Sequence, residues 1–413
     1  MSFQKPKNTH MFQENREQIS NAFDITYYKT LKTYLSILGI NPYQDNQTSN
    51  IIVFAILILY SSVCYPATIK FYNTLREKDY DGIFEDLPQL LAGTASIIKL
   101  LNVHSNKTRF RKLFAFVIRG RNLLNSKDEL YMLNKFTEQG NKLAYMYRRI
   151  LITFLVLFLS VPLRNPFLDI ILPLNETRPR QHIFKVNYVI LDEFEYFYGV
   201  YVHLSCVAIA VVLMIVVVDS LYITIIHHAC GLFAVCGYQI LEAAENNTSM
   251  KDKSNFDSKG YEEFKRSVTL HHEALQFYEI LDSCCRNLYL IQMGINMLVI
   301  SVTAVELVMF LGRPGEAIRT AVFLIAQQIH LYVVSMPGQV LLDESSRLAD
   351  TIFASKWYEN PVKIQRMLYM MQIRSNKPCI LTAAGLYQMK IESFGTTVKT
   401  CMSYFTMFLS LRE

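Results

Sequence analysis

Charge is scarce in this chain: Asp, Glu, Lys and Arg make up 18% of its 413 residues, where a soluble domain carries about 25%. With 51% hydrophobic residues and a positive mean hydropathy, the deficit excludes an ordinary water-soluble domain and points to several passes through a bilayer. The sequence has no glycine-rich phosphate-binding loop and no Ser/His/Asp constellation with positional support, which argues against an enzyme. The net charge is +6, but the basic residues are dealt out loop by loop, so a nucleic-acid partner is also excluded. The opening stretch MSFQKPKNTHMFQENREQIS has no apolar core. No cleavable signal peptide is therefore expected, and the first membrane helix must act as the insertion signal. None of the eight cysteines falls in a segment read as an outer loop, and no pair has zinc-ligand context. No disulfide framework, metal site or cofactor is expected; buried, reduced thiols are.

Long apolar stretches are what the chain has instead. A bilayer core needs about 20 apolar residues per helix, and seven spans are predicted: 51–69, 83–103, 150–163, 196–218, 288–311, 321–342 and 380–411. The fourth is the clearest, with no charged residue in it, and the last two are the weakest. Pro337-Gly338 reads as a break in the sixth, and Lys390, Glu392 and Lys399 interrupt the seventh. Outside the spans, 28 basic residues fall on one side of this arrangement against 10 on the other. The positive-inside rule then puts the N-terminus in the cytoplasm and the C-terminus outside. Of the glycosylation sequons, only that at Asn175 lies in a large outer loop. The same topology decides against a G-protein-coupled receptor, whose N-terminus is outside. The outer loop 164–195 also lacks the cysteine that such a receptor typically bridges to its third span.

Helical spacing continues past several spans. The residues after Val218, the stretch 261–286, and then 348–353 and 357–373 all carry helical stripes without a membrane to hold them. They are expected to pack into a collar on the cytoplasmic side, with 246–259 as a loop between two of them. Of the titratable groups, Glu306 and His330 lie within spans, where such groups hint at function. Asp219 reads as structural, held at the inner membrane surface by hydrogen bonds or a basic partner, and the pairs His227-His228 and His271-His272 as structural too.

The last span carries the most suggestive pattern. At 100° per residue, Thr396, Thr400, Ser403, Met407 and Leu411 fall on one face, with Phe394, Val398, Cys401, Met402, Phe405, Phe408 and Leu409 opposite. Such a hydroxyl stripe suits a helix that lines a wet conduit closed by two large apolar side chains. It also suits a helix packed against its neighbours through Ser and Thr.

Several stretches resemble the insect odorant receptors: Asp219-Ser220-Leu221 followed by His228-Ala229-Cys230-Gly231, and His271-His272 followed by ALQFYEIL. Trp357-Tyr358, Lys377-Pro378 followed by ILTAAG, and Phe394, Lys399 and Ser403-Tyr404-Phe405 continue the likeness in the family's order, over nearly the whole chain. Ser403-Tyr404 is followed by FTMFLSL, without the Gln-Phe usual in the related gustatory receptors. The segment 242–260 is too short for the insertion of the family's shared co-receptor, so the chain resembles an odour-tuning subunit.

The resemblance implies an all-α membrane protein of seven transmembrane helices, with its later helices extended into a cytoplasmic anchor bundle. It divides the chain into an N-terminal segment 1–50, a ligand-binding bundle 51–220 and cytoplasmic extensions 221–287. Helices five and six follow at 288–342, an anchor helix at 343–378 and a pore-lining helix at 379–413. The implied activity is that of a non-selective cation channel, a hetero-oligomer with the co-receptor (a tetramer) in the plasma membrane of olfactory neuron dendrites, opened by a volatile ligand. Met407 and Leu411 then match the gate. Helix depth carries the odorant site over to Leu91, Thr94, Thr153, Phe154, Leu157 and Phe158, and to Tyr198, Tyr201, Val202, Ser205 and Phe323. Residues of these types also simply pack helix against helix. A metabotropic receptor or a transporter for a small lipid-like ligand is the alternative; a transporter should show repeat symmetry between its halves, and none is evident.

Overall fold

A computed structural model of the chain describes residues 26–249 and 256–412, apart from 173–177, 179, 181, 185 and 189–194. Asn175 lies outside the described residues. The fold is helical almost throughout: α1 (Thr26–Ile37), α2 (Asn46–Glu77), α3 (Tyr80–Ser105), α4 (Lys107–Asn122), α5 (Lys127–Ser160) and α6 (Arg164–Ile171), then α7 (Phe197–Ser249), α8 (Phe256–Met309), α9 (Pro314–Ala354), α10 (Val362–Ser375) and α11 (Ile391–Arg412). Seven of these, α2, α3, α5, α7, α8, α9 and α11, correspond to the seven spans. By length and composition, α2, α5 with the turns after it, α7, α8 and α9 suffice to cross a bilayer. The remaining two carry ionisable residues in their apolar stretches, Glu85, Asp86 and Lys99 in α3 and Glu392 and Lys399 in α11.

Length decides where the core sits. At 1.5 Å per residue, α7 with 53 residues and α8 with 54 each run about 80 Å, against roughly 30 Å of hydrocarbon. Both therefore project well beyond one membrane face, and the largest hydrophobic cluster lies mostly in that projection. There Phe233 and Ile240 of α7 and Phe264 and Phe277 of α8 share one cluster with Phe110 and Phe114 of α4. Leu35 of α1, Ile352 of α9 and Leu368 of α10 complete it. Helices that leave the bilayer need the hydrophobic effect to hold them together, because lipid no longer surrounds them.

Polar locks fix the register. Ser126 and Glu129 form a capping box at the start of α5. The fully buried Glu129 also accepts from Gln239 of α7 at 3.0 Å and pairs with Arg266 of α8. One carboxylate thus ties three helices. Arg119 of α4 reaches Glu273 of α8 at 2.8 Å.

Three expectations change. Pro337-Gly338 does not break α9, which runs unbroken over 41 residues. Gly338 is instead a docking notch, because a Cβ there would run into the Met389 carbonyl. The last helix starts at Ile391 rather than at 380. Before it, β1 (Thr382–Ala383) pairs antiparallel with β2 (Tyr387–Gln388), with Thr382 opposite Gln388. Its turn, closed by the Leu386 amide on the Ala383 carbonyl at 3.0 Å, has positive φ at both Ala384 and Gly385, as a type I′ turn requires. Finally, Met402 is 55% exposed and does not belong to the buried side of α11.

Candidate functional site: a cavity between the membrane helices

A cavity of about 190 Å³ opens between α2, α3, α5, α7 and α9. Its walls follow helical spacing. Leu151, Phe154, Leu155 and Phe158 form the α5 side, and Val207, Ala208, Val211, Val212 and Ile215 the α7 side. On α3, a Cβ at Gly93 would stand 2.7 Å from the Tyr60 ring, so glycine there lets the α2 tyrosine lie against α3. The Phe158 ring centre sits 5.8 Å from that of Phe184, in the segment before α7, and 6.4 Å from that of Phe323 on α9.

The polar groups of the lining are mostly engaged within the chain. Asp86 pairs with Lys70 at 2.5 Å. Thr320 donates to Glu306 at 3.2 Å, and Arg319 donates to the carbonyls of His182 and Ile183 at 3.3 Å each. His330, also in the lining, joins a buried network. Its Nδ1 lies 2.7 Å from the Tyr147 hydroxyl, which donates to Asp219 at 2.8 Å. Its Nε2 lies 2.9 Å from the Gln292 amide nitrogen and 3.4 Å from the Lys99 ammonium, which donates to Asp219 at 2.6 Å. One proton inventory satisfies every contact: a neutral imidazole protonated at Nδ1, donating to Tyr147 and accepting at Nε2. The partner expected for Asp219 is thus Lys99, supplied by another helix.

Of the residues expected at the ligand site, Phe154, Phe158 and Phe323 line this cavity. The others lie off it. Thr94 is exposed, donates to the Leu90 carbonyl at 2.7 Å and has its hydroxyl 3.5 Å from that of Tyr60. Leu91 is half-buried between the lining residues Leu90 and Ala92. Thr153, Leu157, Tyr198 and Val202 point outward from the bundle, and Thr153 bonds back to the Arg149 carbonyl. Tyr201 bridges α7 to α5 through the Leu159 carbonyl at 2.9 Å, and Ser205 bonds back to the Tyr201 carbonyl at 2.7 Å. Depth along a helix does not fix rotation about its axis, and rotation separates these two sets. Tyr60, Gln89, Arg319 and Gln327, which the sequence reading does not select, also line the cavity. Polarity inside an otherwise apolar layer marks them, as it marks Glu306 and His330.

The last helix docks through one face. Thr397 and Cys401 are buried, and Ser301 of α8 donates to the Cys401 carbonyl at 3.1 Å. Phe394 meets Tyr332 of α9 edge-on at 5.5 Å, and Phe408 meets Phe84 of α3 at 6.0 Å. Thr396, Ser403 and Met407 are exposed and Thr400 is half-buried. Leu411 continues the helix, though its side chain lies outside the described residues.

The family model described as 7tm odorant receptor matches residues 80–402. The chain belongs to that family. The receptor is 21% identical to Odorant receptor 13a of Drosophila melanogaster over 346 residues, covering 77% of this chain and 78% of that one. It is likewise 21% identical to Odorant receptor Or2 of Anopheles gambiae, covering 86% and 88%. Among solved structures it is similar to the olfactory receptor OR5 of Machilis hrabei in complex with eugenol, with a TM-score of 0.77 at 12% identity over 97% of this chain and 99% of that one. OR5 without that ligand gives 0.73 over 93% and 98%. The receptor therefore has the seven-helix insect olfactory receptor fold. Membership in a receptor family also answers the question of enzymatic chemistry in the negative.

Proposed function

We infer that the chain is the odour-tuning subunit of a ligand-gated, non-selective cation channel, assembled with the family's co-receptor in a tetramer. A neutral volatile ligand occupies the cavity between α2, α3, α5, α7 and α9, and α11 lines the pore. The observation that carries this reading is the one-sided docking of α11. It meets its own subunit through Thr397 and Cys401 and leaves Thr396, Ser403 and Met407 facing away. A hydroxyl stripe that bonds only to the backbone of its own helix still offers its oxygens to water in a ring of such helices, with Met407 and Leu411 closing by dewetting.

The cavity and the pore helix share supports. Glu306 of α8 and Phe323 and His330 of α9 line the cavity, and α11 rests on α8 and α9. A ligand that shifts α9 against α8 therefore moves the platform of α11. Alternating spans put the ends of α3, α7 and α9 and the starts of α5, α8 and α11 on one side, together with most of the basic residues. That favours a cytoplasmic anchor bundle, an outer C-terminus and glycosylation at Asn175. Olfactory dendrites are the corresponding plasma membrane.

Co-expression with the co-receptor and recording from excised patches without nucleotides tests the reading. Odorant-evoked current under those conditions is expected, and Phe158→Ala should shift which odorants evoke it. Silence in excised patches, with responses surviving only in intact cells, would instead mark a metabotropic receptor.

A further inference from the structure

The cavity's charged groups are all held within the chain, and that limits what fits inside it. Asp86 has Lys70, Arg319 has two carbonyls, Glu306 has Thr320, and His330 is held in its network. An ammonium or carboxylate ligand would have to compete with these contacts for a counter-charge in a desolvated site. Two polar side chains of the lining differ from the rest. Gln89 on α3 and Gln327 on α9 both line the cavity, and within the described residues neither amide makes a hydrogen bond. An amide left unpaired at an apolar wall is costly unless something else satisfies it. Each amide offers both a donor and an acceptor.

Size sets the second limit. An engineered apolar cavity of about 150 Å³ holds benzene, and this one measures about 190 Å³. That leaves room for one ring and a short substituent.

We propose that the receptor takes neutral, single-ring-sized volatiles bearing one hydroxyl or carbonyl oxygen, and that Gln89 and Gln327 are the specificity residues that bind that oxygen. The proposal rests on the cavity being the ligand site. Gln327 sits on the helix that carries His330, three residues away, so an oxygen held there loads α9 directly.

The test is equilibrium binding to the purified full-length receptor, read as ligand-induced thermal stabilisation. The probes are benzyl alcohol, its hydrocarbon isostere ethylbenzene, benzylamine and 2-naphthylmethanol. Benzyl alcohol is expected to bind about tenfold tighter than ethylbenzene, the worth of one good hydrogen bond. Gln89→Leu combined with Gln327→Leu should abolish that gap, with the thermal midpoint of the ligand-free variant showing that it is folded. Benzylamine and 2-naphthylmethanol should both bind more weakly than benzyl alcohol. Equal binding of alcohol and hydrocarbon by the wild type, or a gap that survives in the double variant, overturns the proposal. Tighter binding of the amine or of the two-ring alcohol overturns it too. Phe158→Trp, which fills the cavity, separates this from failure of the underlying reading. If it leaves benzyl alcohol binding unchanged, the cavity is not the ligand site and both fall; if it weakens binding while the gap persists, only the glutamine assignment falls.

Discussion

Lys99 on α3 and Asp219 on α7 meet at 2.6 Å across 120 residues of sequence, with side chains only 2% and 6% exposed. Together with Tyr147 of α5 and His330 of α9 they join four of the helices around the cavity. Removing one partner of such a buried pair strands the other charge, at a cost of about 3–5 kcal/mol. Lys99→Met should therefore lower the thermal midpoint of the purified receptor sharply. Lys99→Met combined with Asp219→Asn should recover a large part of the loss, since no unpaired charge remains. A single variant as stable as wild type would show that the pair contributes nothing.

Gly338 provides a second test, of how the last helix is placed. The hairpin before α11 lies so close to α9 that a methyl group at position 338 would collide with the Met389 backbone. Gly338→Ala should destabilise by about 2 kcal/mol, within the range of overpacking, and should reduce evoked current by more than its loss of surface expression. Gly294→Ala is the control, because a Cβ there has nothing within 4 Å. Equal effects from the two substitutions would remove Gly338 as a docking point.

These two sites mark where sequence patterns stop being informative. Helix existence was legible because apolar runs and helical stripes are local, and the extensions past Val218 were legible for the same reason. Pro337-Gly338 misled because the dipeptide carries a turn signal, while the reason for its glycine, the carbonyl of Met389, lies 51 residues away. Asp219 was legible as a residue in need of a partner, but nothing in its neighbourhood identified Lys99. The cavity followed the same rule. Leu157 and Phe158 are adjacent and chemically alike, yet one faces outward and the other inward, because packing of α5 on α7 fixes its rotation.

Histidines in the extension predict acid sensitivity. Burial, with a further push from Arg374, brings His271 down to about 4. Burial, aided by Arg121, brings His228 down to about 3. An unfolded histidine titrates near 6.5, so between that pH and about 4 the unfolded state binds more protons than the folded one. Stability therefore rises with pH across this window and is lost on acidification, by up to about 1.4 kcal/mol per pH unit for each histidine. Thermal midpoints should fall between pH 6.5 and pH 4.5, and His271→Gln should flatten that slope. An unchanged slope in the variant would assign the acid loss to other groups.

The exposed stripe on α11 yields the most direct test of the channel reading. Met407 is 46% exposed in the subunit, while Thr397, on the docked side, is 2% exposed. If α11 lines a pore, a charged, membrane-impermeant thiol reagent applied from outside should reach Cys in Met407→Cys and strongly reduce odorant-evoked current. Thr397→Cys should be insensitive, because its side chain is packed within the subunit. The native background is low for physical reasons: Cys401 and Cys379 are buried, and burial pushes the Cys379 thiol up to about 12. Cys206, although exposed, sits on the membrane stretch of α7, where a charged reagent does not partition. Protection of Met407→Cys by a closed gate would slow the reaction in the absence of odorant and speed it in its presence. Insensitivity of Met407→Cys in receptors that still gate would mean that this face meets lipid or a neighbouring helix, and the conduit would have to be sought on another surface.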